Sequence, residues 1–307
     1  MSIIEVANLR KTYGSTVAVD DVSFHVEEGE IFGILGPNGA GKTTTVECIE
    51  GLRRPDDGTI RVLGLDPTRD RLELRLKVGA QLQESELPEK LSVREALELY
   101  ASFYPDPADP QVLMTELGLA GKADTKFGKL SGGQRQRLSI ALALIGNPSV
   151  AVLDELTTGL DPQARRDTWQ LVENIRARGV TIVLVTHLMD EAQRLCDRLA
   201  VIDAGRVVAV DSPAGLVDRV SDEMRVAFRP SAPLDVSILA DLPEVTEVSR
   251  NGEHVVVTGT GDLLYPLVTT LAAHDVAAVE LRTEHANLED AFVTLTGRSF
   301  DEEPTAA

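Results

Sequence analysis

Gly36-Pro37-Asn38-Gly39-Ala40-Gly41-Lys42-Thr43 is the stretch that decides the fold of this 307-residue chain. It has the form G-x-x-x-x-G-K-[ST]. The apolar run Ile31-Phe32-Gly33-Ile34-Leu35 precedes it and reads as a buried strand, and Thr44 to Ile49 follows it and reads as a helix. A glycine-rich loop between strand and helix is what close backbone approach to a polyphosphate requires. Glycines at 36, 39 and 41 remove side chains that would block that approach. Successive N–H groups then face the phosphates, and the positive end of the following helix adds to the field. Lys42 bridges the terminal phosphates and the Thr43 hydroxyl serves Mg²⁺, with Pro37, Asn38, Ala40 and Thr44 completing the nucleotide cradle. The competing reading is an ordinary glycine-rich turn; the strand before and the helix after count against it.

Composition narrows the partners. The chain is 43% hydrophobic and 26% charged, as in ordinary globular proteins. Its 30 basic and 49 acidic residues give a net charge of -19, which argues against a nucleic-acid or ribosomal partner. Cys48 and Cys196 stand in apolar helical contexts without metal-like spacing and read as buried, reduced thiols. The segment Met1–Tyr13 has no signal-peptide core, and no apolar run approaches the roughly 20 residues of a membrane span, so a cytoplasmic protein is expected.

Outward from the loop, strands and helices alternate. Ile3–Leu9, Val22–Val26, Glu30–Leu35, Thr59–Leu63 and Lys77–Leu82 read as strands. Ser149–Leu153 and Val180–Thr186 are continuous β-branched runs, as in strands buried on both faces of a parallel sheet. Between Glu84 and Gly146 the pattern turns helical. Ser92 and Glu95 form a capping box, Asp109-Pro110 starts a second helix, and Ser131 precedes a third. Beyond Ser212-Pro213 a β-α-β-β-α-β-α order suggests a small split-βαβ module: strands Asp222–Arg229, Val245–Ser249, His254–Val257 and Val276–Leu281, with helices Val236–Ala240, Leu263–Ala273 and Asn287–Leu295. Asn251-Gly252 is its hairpin signal. The expected division is 1–215 for the core, with a helical insertion over about 84–146, then 222–300 for an accessory domain and a disordered tail over 301–307.

Two further motifs carry chemistry. Val150 to Glu155 is an apolar strand ending in two carboxylates: Asp154 would hold the Mg²⁺ shell and Glu155 would polarise an attacking water. Leu130-Ser131-Gly132-Gly133-Gln134 opens an amphipathic helix, with Ser131 as N-cap, Gly132 and Gly133 exposing backbone N–H groups, and the helix dipole facing an anion.

Together with the phosphate loop, Leu130–Gln134 resembles the signature of ATP-binding cassette (ABC) proteins. The resemblance implies ATP and Mg²⁺ as ligands, ATPase activity, and a head-to-tail dimer in which Ser131, Gly132, Gly133 and Gln134 touch the γ-phosphate held by the other subunit. It implies that Tyr13 stacks on adenine and that Gln83 touches Mg²⁺ or water, although Gln81 offers an alternative register. It implies that Asp161, in Gly159-Leu160-Asp161, reaches across the dimer, and that His187 is the switch at the γ-phosphate. Leu156 departs from the family, which usually has Pro after the Asp-Glu pair. The fold implied is an α/β P-loop ABC ATPase core with a helical insertion, followed by a small C-terminal α+β domain. That C-terminal stretch, with Asn287–Phe292 and Leu295-Thr296-Gly297-Arg298, resembles the extension of daunorubicin-resistance-type export ATPases of the ABC-2 group. The resemblance therefore implies a peripheral subunit on the inner face of the cell membrane, a homodimer, and a separate ABC-2-type integral membrane permease. The rival assignments are a soluble ABC ATPase acting on nucleic acid or ribosomes, disfavoured by the charge, and a nucleotide sensor without turnover, disfavoured by Glu155 and His187.

Overall fold

The structure, a computed structural model, describes residues 1–81, 87–219, 223–285 and 287–297. Gln83, the strand ends Leu82 and Asp222, Arg298 and the tail from Asp301 lie outside the described residues. The chain divides into two compact units, Met1–Pro213 and Ala214–Gly297.

The first unit has two sheets. Strands β1 (Ser2–Tyr13), β2 (Thr16–Glu27) and β4 (Asp57–Val62) form an antiparallel sheet in the order β2-β1-β4. β1 and β2 run further towards Gly14 than the apolar runs Ile3–Leu9 and Val22–Val26 indicate, because the ladder continues through partly exposed polar pairs such as Tyr13 with Thr16. The second sheet has the order β5-β6-β7-β3-β8-β9. It contains β3 (Ile31–Leu35), β5 (Val78–Gln81), β6 (Val150–Asp154), β7 (Thr181–Thr186), β8 (Arg198–Asp203) and β9 (Arg206–Asp211). Only β9 runs antiparallel to its neighbour. Every residue of β3, β6 and β7 is buried, as their unbroken β-branched runs require. The sheets share one core, in which Ile4, Leu9, Val22 and Val26 meet Ile34, Val152, Val183 and the helix residues Val46 and Ile49. Phe24 stacks on Phe32 across it, with ring centroids 5.2 Å apart.

Helix α1 (Lys42–Ile49) follows the phosphate loop, and α2 (Arg71–Arg75) precedes β5. Between β5 and β6 lie α3 (Val93–Ala101), α4 (Pro110–Glu116) and α5 (Gly132–Leu144). Ser92, Asp109 and Ser131 cap them, with reciprocal capping boxes at Ser92–Glu95 and Ser131–Gln134. Helix α6 (Pro162–Arg176) is capped by Asp161, and α7 (Met189–Leu195) follows β7. Both cysteines are buried and free; Cys196 closes α7 in an extended conformation rather than lying inside a helix.

The second unit begins with α8 (Pro213–Asp218) at the junction. It continues through β10 (Glu223–Pro230), α9 (Ser237–Ala240), β11 (Val245–Asn251), β12 (His254–Thr260), α10 (Leu264–Ala273), β13 (Ala278–His285) and α11 (Leu288–Thr296). The sheet order β11-β12-β10-β13, antiparallel throughout, is split-βαβ topology. Two local corrections apply. The hairpin loop is Gly252-Glu253, because Asn251 still pairs with His254 and Gly252 takes the positive φ of 62°. The last strand starts at Ala278, because the N–H of Val276 is bonded to Leu271 at the end of α10.

Candidate functional site

Three loops converge at the carboxyl edge of adjacent strands β6, β7 and β3. Register places Leu35 level with Thr186, and Asp154 level with Val185. The phosphate loop therefore leaves the edge beside Glu155 and His187. Ligand sites of open parallel sheets form at this edge because βα loops gather there.

The loop is shaped first by its own chain. A Cβ on Gly36 would stand 2.2 Å from the Ile202 carbonyl oxygen, and one on Gly41 would stand 2.3 Å from that of Ala18. Gly41 also has φ 98°. These two glycines are thus required by backbone packing before any ligand is considered. Pro37 and Ala40 are buried beneath the loop, while Asn38, Gly39 and Thr43 are exposed and Thr44 is half-buried. Lys42 is buried, and its ammonium donates to the carbonyls of Gly36 at 2.8 Å and Pro37 at 2.9 Å. Burial lowers its pKa, while the nearby Glu155 and Asp154 oppose the shift. Unlike α5 and α6, helix α1 starts without a side-chain cap, at Gly41. A buried cation beside an uncapped helix start suits a phosphate group.

Asp154 ends β6 and is buried. Burial first, then the charge of Glu155, push its pKa up to about 6, with Lys42 and His187 pulling the other way. Such a carboxylate gains from a hard cation, and with the Thr43 hydroxyl it supplies the oxygen donors that Mg²⁺ prefers. Glu155 has φ 47°, and its N–H is bonded to Val185 on the neighbouring strand. Its Oε1 lies 3.0 Å from His187 Nδ1. The structure therefore brings Glu155 and His187 together.

Other candidates stand apart from this group. Ser131 and Gln134 cap each other: the Gln134 N–H donates to Ser131 Oγ, and the Ser131 N–H donates to Gln134 Oε1. Gly132 and Gly133 have room for a Cβ, whose nearest neighbours would be Leu160 at 4.0 Å and Ala164 at 3.5 Å. No described hydrogen bond joins this segment to the phosphate loop. Asp161 is exposed; its Oδ1 accepts from the N–H groups of Gln163 and Ala164, which lowers its pKa. Tyr13 is 41% exposed at the end of β1, with Lys11 and Arg53 within 6 Å of its ring. Gln81 is buried and ends β5.

Glu50 and Glu191 are buried acids that escape a motif reading. Glu50 closes α1, and burial together with the charge of Asp154 pushes its pKa up to about 8. Its one sequence signal is a carboxylate following the apolar pair Cys48-Ile49. Glu191 in α7 is fully buried and binds Thr157 and Trp169. It stands four residues after His187, in the helix that follows that loop.

Residues 19–158 match the family model described as "ABC transporter". Over 97% of its length the chain is 40% identical to Nod factor export ATP-binding protein I of Paraburkholderia xenovorans (strain LB400), covering 98% of that relative. The protein of that name from Ralstonia nicotianae is 39% identical over 97% of the chain and 95% of its own length. Among solved structures, an ATP-binding cassette of an ABC transporter in its ADP conformation superposes with TM-score 0.64 at 27% identity, covering 72% of this chain and 94% of that one. A dimeric cassette in a post-hydrolysis state bound to ADP and Pi does so with TM-score 0.62 at 29% identity, covering 68% and 98%.

Proposed function

The chain belongs to the ABC transporter ATP-binding proteins, and on that premise we propose that it is the ATP-hydrolysing subunit of an exporter whose permease is a separate membrane protein. The observation that carries this reading is the convergence at one sheet edge of Lys42, Asp154 and the Glu155–His187 pair at 3.0 Å. Lys42 would exchange its two carbonyl partners for phosphate oxygens. Mg²⁺, held by Asp154 and Thr43, would supply charge neutralisation at the phosphates. Glu155 would accept the proton of the attacking water, and His187 would hold Glu155 in line and face the terminal phosphate. The protein's task is positioning and electrostatic stabilisation.

Ser131, Gly132, Gly133, Gln134 and Asp161 would complete the site of a second, identical subunit. Among the described residues no hydrogen bond joins their segment to the phosphate loop of its own chain, and a Cβ on either glycine would meet nothing closer than 3.5 Å. Tyr13, flanked by cations, would stack on the adenine, and Gln83 would join the Mg²⁺ shell. The finer placement in the ABC-2 group, near the daunorubicin-resistance-type ATPases, rests on the C-terminal unit: the exporter relatives align over 97% of the chain, the solved cassettes over about 70%. The relatives named above are Nod factor export ATP-binding proteins by name; for this chain the permease would set the cargo.

No helix among the described residues is long and apolar enough to cross a membrane. The inner membrane face would be reached through the permease, at the surface of α3. There Leu97 is buried, Leu87, Leu91 and Tyr104 are half-buried, and Leu99 and Phe103 are 47% and 63% exposed. Co-expressed with its permease, the chain should sediment with membranes. Leu99→Glu with Phe103→Glu should release it without loss of ATP binding. Unchanged sedimentation of the double variant, or wild-type binding to lipid vesicles with no partner, would refute this route.

A further inference from the structure

Glu191 is a carboxylate with no solvent exposure and, among the described residues, no basic partner. Its Oε1 accepts from the Thr157 hydroxyl at 2.8 Å and from the Trp169 indole N–H at 3.3 Å. Its Oε2 is buried without a hydrogen-bond partner among the described residues. Thr157 is itself fully buried. Burying an acid in this way costs stability, and an apolar side chain of similar volume would pack the same space more cheaply. The fold retains the acid where it joins three segments: the turn after Glu155, helix α6, and the helix directly behind His187.

The contact is the second of two parallel rungs. One is Glu155 to His187 at 3.0 Å; the other, two residues on along the first segment and four on along the second, is Thr157 to Glu191 at 2.8 Å. Between them the chain is demanding, since Glu155 has a positive φ of 47°, which non-glycine residues seldom adopt. Leu156 is buried but imposes no backbone restriction of the kind a proline ring would. Two backbone bonds close the turn that follows, from Thr158 N–H to Glu155 at 3.4 Å and from Leu160 N–H to Thr157 at 3.2 Å.

We propose that Glu191 is a positioning residue: by gripping Thr157 it fixes the Glu155 carboxylate relative to His187 and sets the path of the loop towards Asp161. The inference rests on Glu155 acting as the base that orients water. A displacement of a reacting group by about 1 Å costs up to a hundredfold in rate.

The test uses the full-length chain and steady-state ATP hydrolysis, with Thr157→Val, Thr157→Ser and Glu191→Gln. Thr157→Val keeps shape and loses only the hydroxyl. Its kcat should fall roughly ten- to a hundredfold with the KM for ATP within about twofold. Thr157→Ser should recover most of the loss, and Thr157→Val combined with Glu191→Gln should cost little more than either alone. Trp169, the one tryptophan of the chain, should shift its emission in Glu191→Gln because the acceptor of its indole N–H changes. An unchanged kcat in Thr157→Val overturns the inference, as does a loss shared with KM or not rescued by serine. If the wild-type chain itself fails to hydrolyse ATP, alone and with its permease, the functional reading fails instead.

Discussion

Glu50 should make the first unit less stable as pH rises through neutrality, and Glu50→Gln should remove that dependence. In the folded chain burial and the Asp154 charge hold its pKa at about 8, against an ordinary value of 4.5. Asp154, pushed to about 6, ionises first while Glu50 is still neutral; Glu50 must then ionise against a charge already present. This order explains why the repulsion falls on Glu50 and not on Asp154. Between the two pKa values the native state keeps a proton that the unfolded state has released, so stability is greatest below about 4.5 for this group and declines up to about 8. A gap of about 3.5 pH units at 1.36 kcal/mol each caps the loss at about 5 kcal/mol, and local relaxation should bring it to about 2–3 kcal/mol. Glutamine keeps the size and polarity of the neutral acid without titrating. The assay is urea unfolding of wild type and Glu50→Gln at several pH values, without nucleotide or divalent cation. Trp169 fluorescence reports the first unit alone, because the chain has a single tryptophan and it lies in α6. The stability difference should be near zero at about pH 5 and grow in favour of Glu50→Gln towards about pH 8. A difference that stays constant with pH, or a wild type more stable at the alkaline end, refutes the reasoning.

Glu155→Gln should bind ATP normally and lose roughly a hundredfold or more of turnover, as expected when a general base is removed; near-normal hydrolysis would reject the assignment. Lys42→Ala and Ser131→Arg chains should each fail to dimerise on ATP addition, yet their mixture should partly recover, since one of its two composite sites carries neither change. Absence of ATP-driven dimerisation even in Glu155→Gln, with the permease present, would reject the trans arrangement. Gly132→Ala should leave the melting transition unchanged or slightly raised, because a Cβ has room there and alanine favours helix, while turnover collapses. A clearly destabilised variant would place the glycine's role inside the chain.

Much of the first unit was legible because its signals are local. The buried runs of β3, β6 and β7 are uninterrupted, and Ser92, Asp109, Ser131 and Asp161 announce their helices by spacing alone. The β8–β9 hairpin escaped the sequence reading for a physical reason. Its loop is Ala204-Gly205, both at positive φ, and alanine in that conformation lacks the Asn-Gly or Asp-Gly mark of such turns. The short α2 and α7 carry no side-chain cap to mark their starts. Glu50 and Glu191 were hidden differently: a buried acid becomes visible only when long-range packing has placed it, Glu191 against Thr157 from 34 positions away.

Glycine usage shows which parts of the site answer to this chain and which to something outside it. Gly36 and Gly41 are forced by carbonyls of Ile202 and Ala18, so the phosphate loop would need them even with no phosphate to bind. The same strand-end packing that forbids a Cβ there also holds the loop open, with Lys42 buried under it and α1 uncapped. Gly132 and Gly133 meet no such demand, and they stand at the start of a helix where glycine costs up to about 1 kcal/mol relative to alanine. A cost with no internal return points to an approaching body that needs bare backbone. Ser131 and Gln134 already satisfy each other in the cap, so the N–H groups between them keep their direction without a ligand. The cap thus orders this segment with no ligand present. In the proposed dimer it would meet a phosphate held by a second subunit without ordering a loop first, so less of the binding energy of ATP would be lost to entropy and more would remain to drive closure.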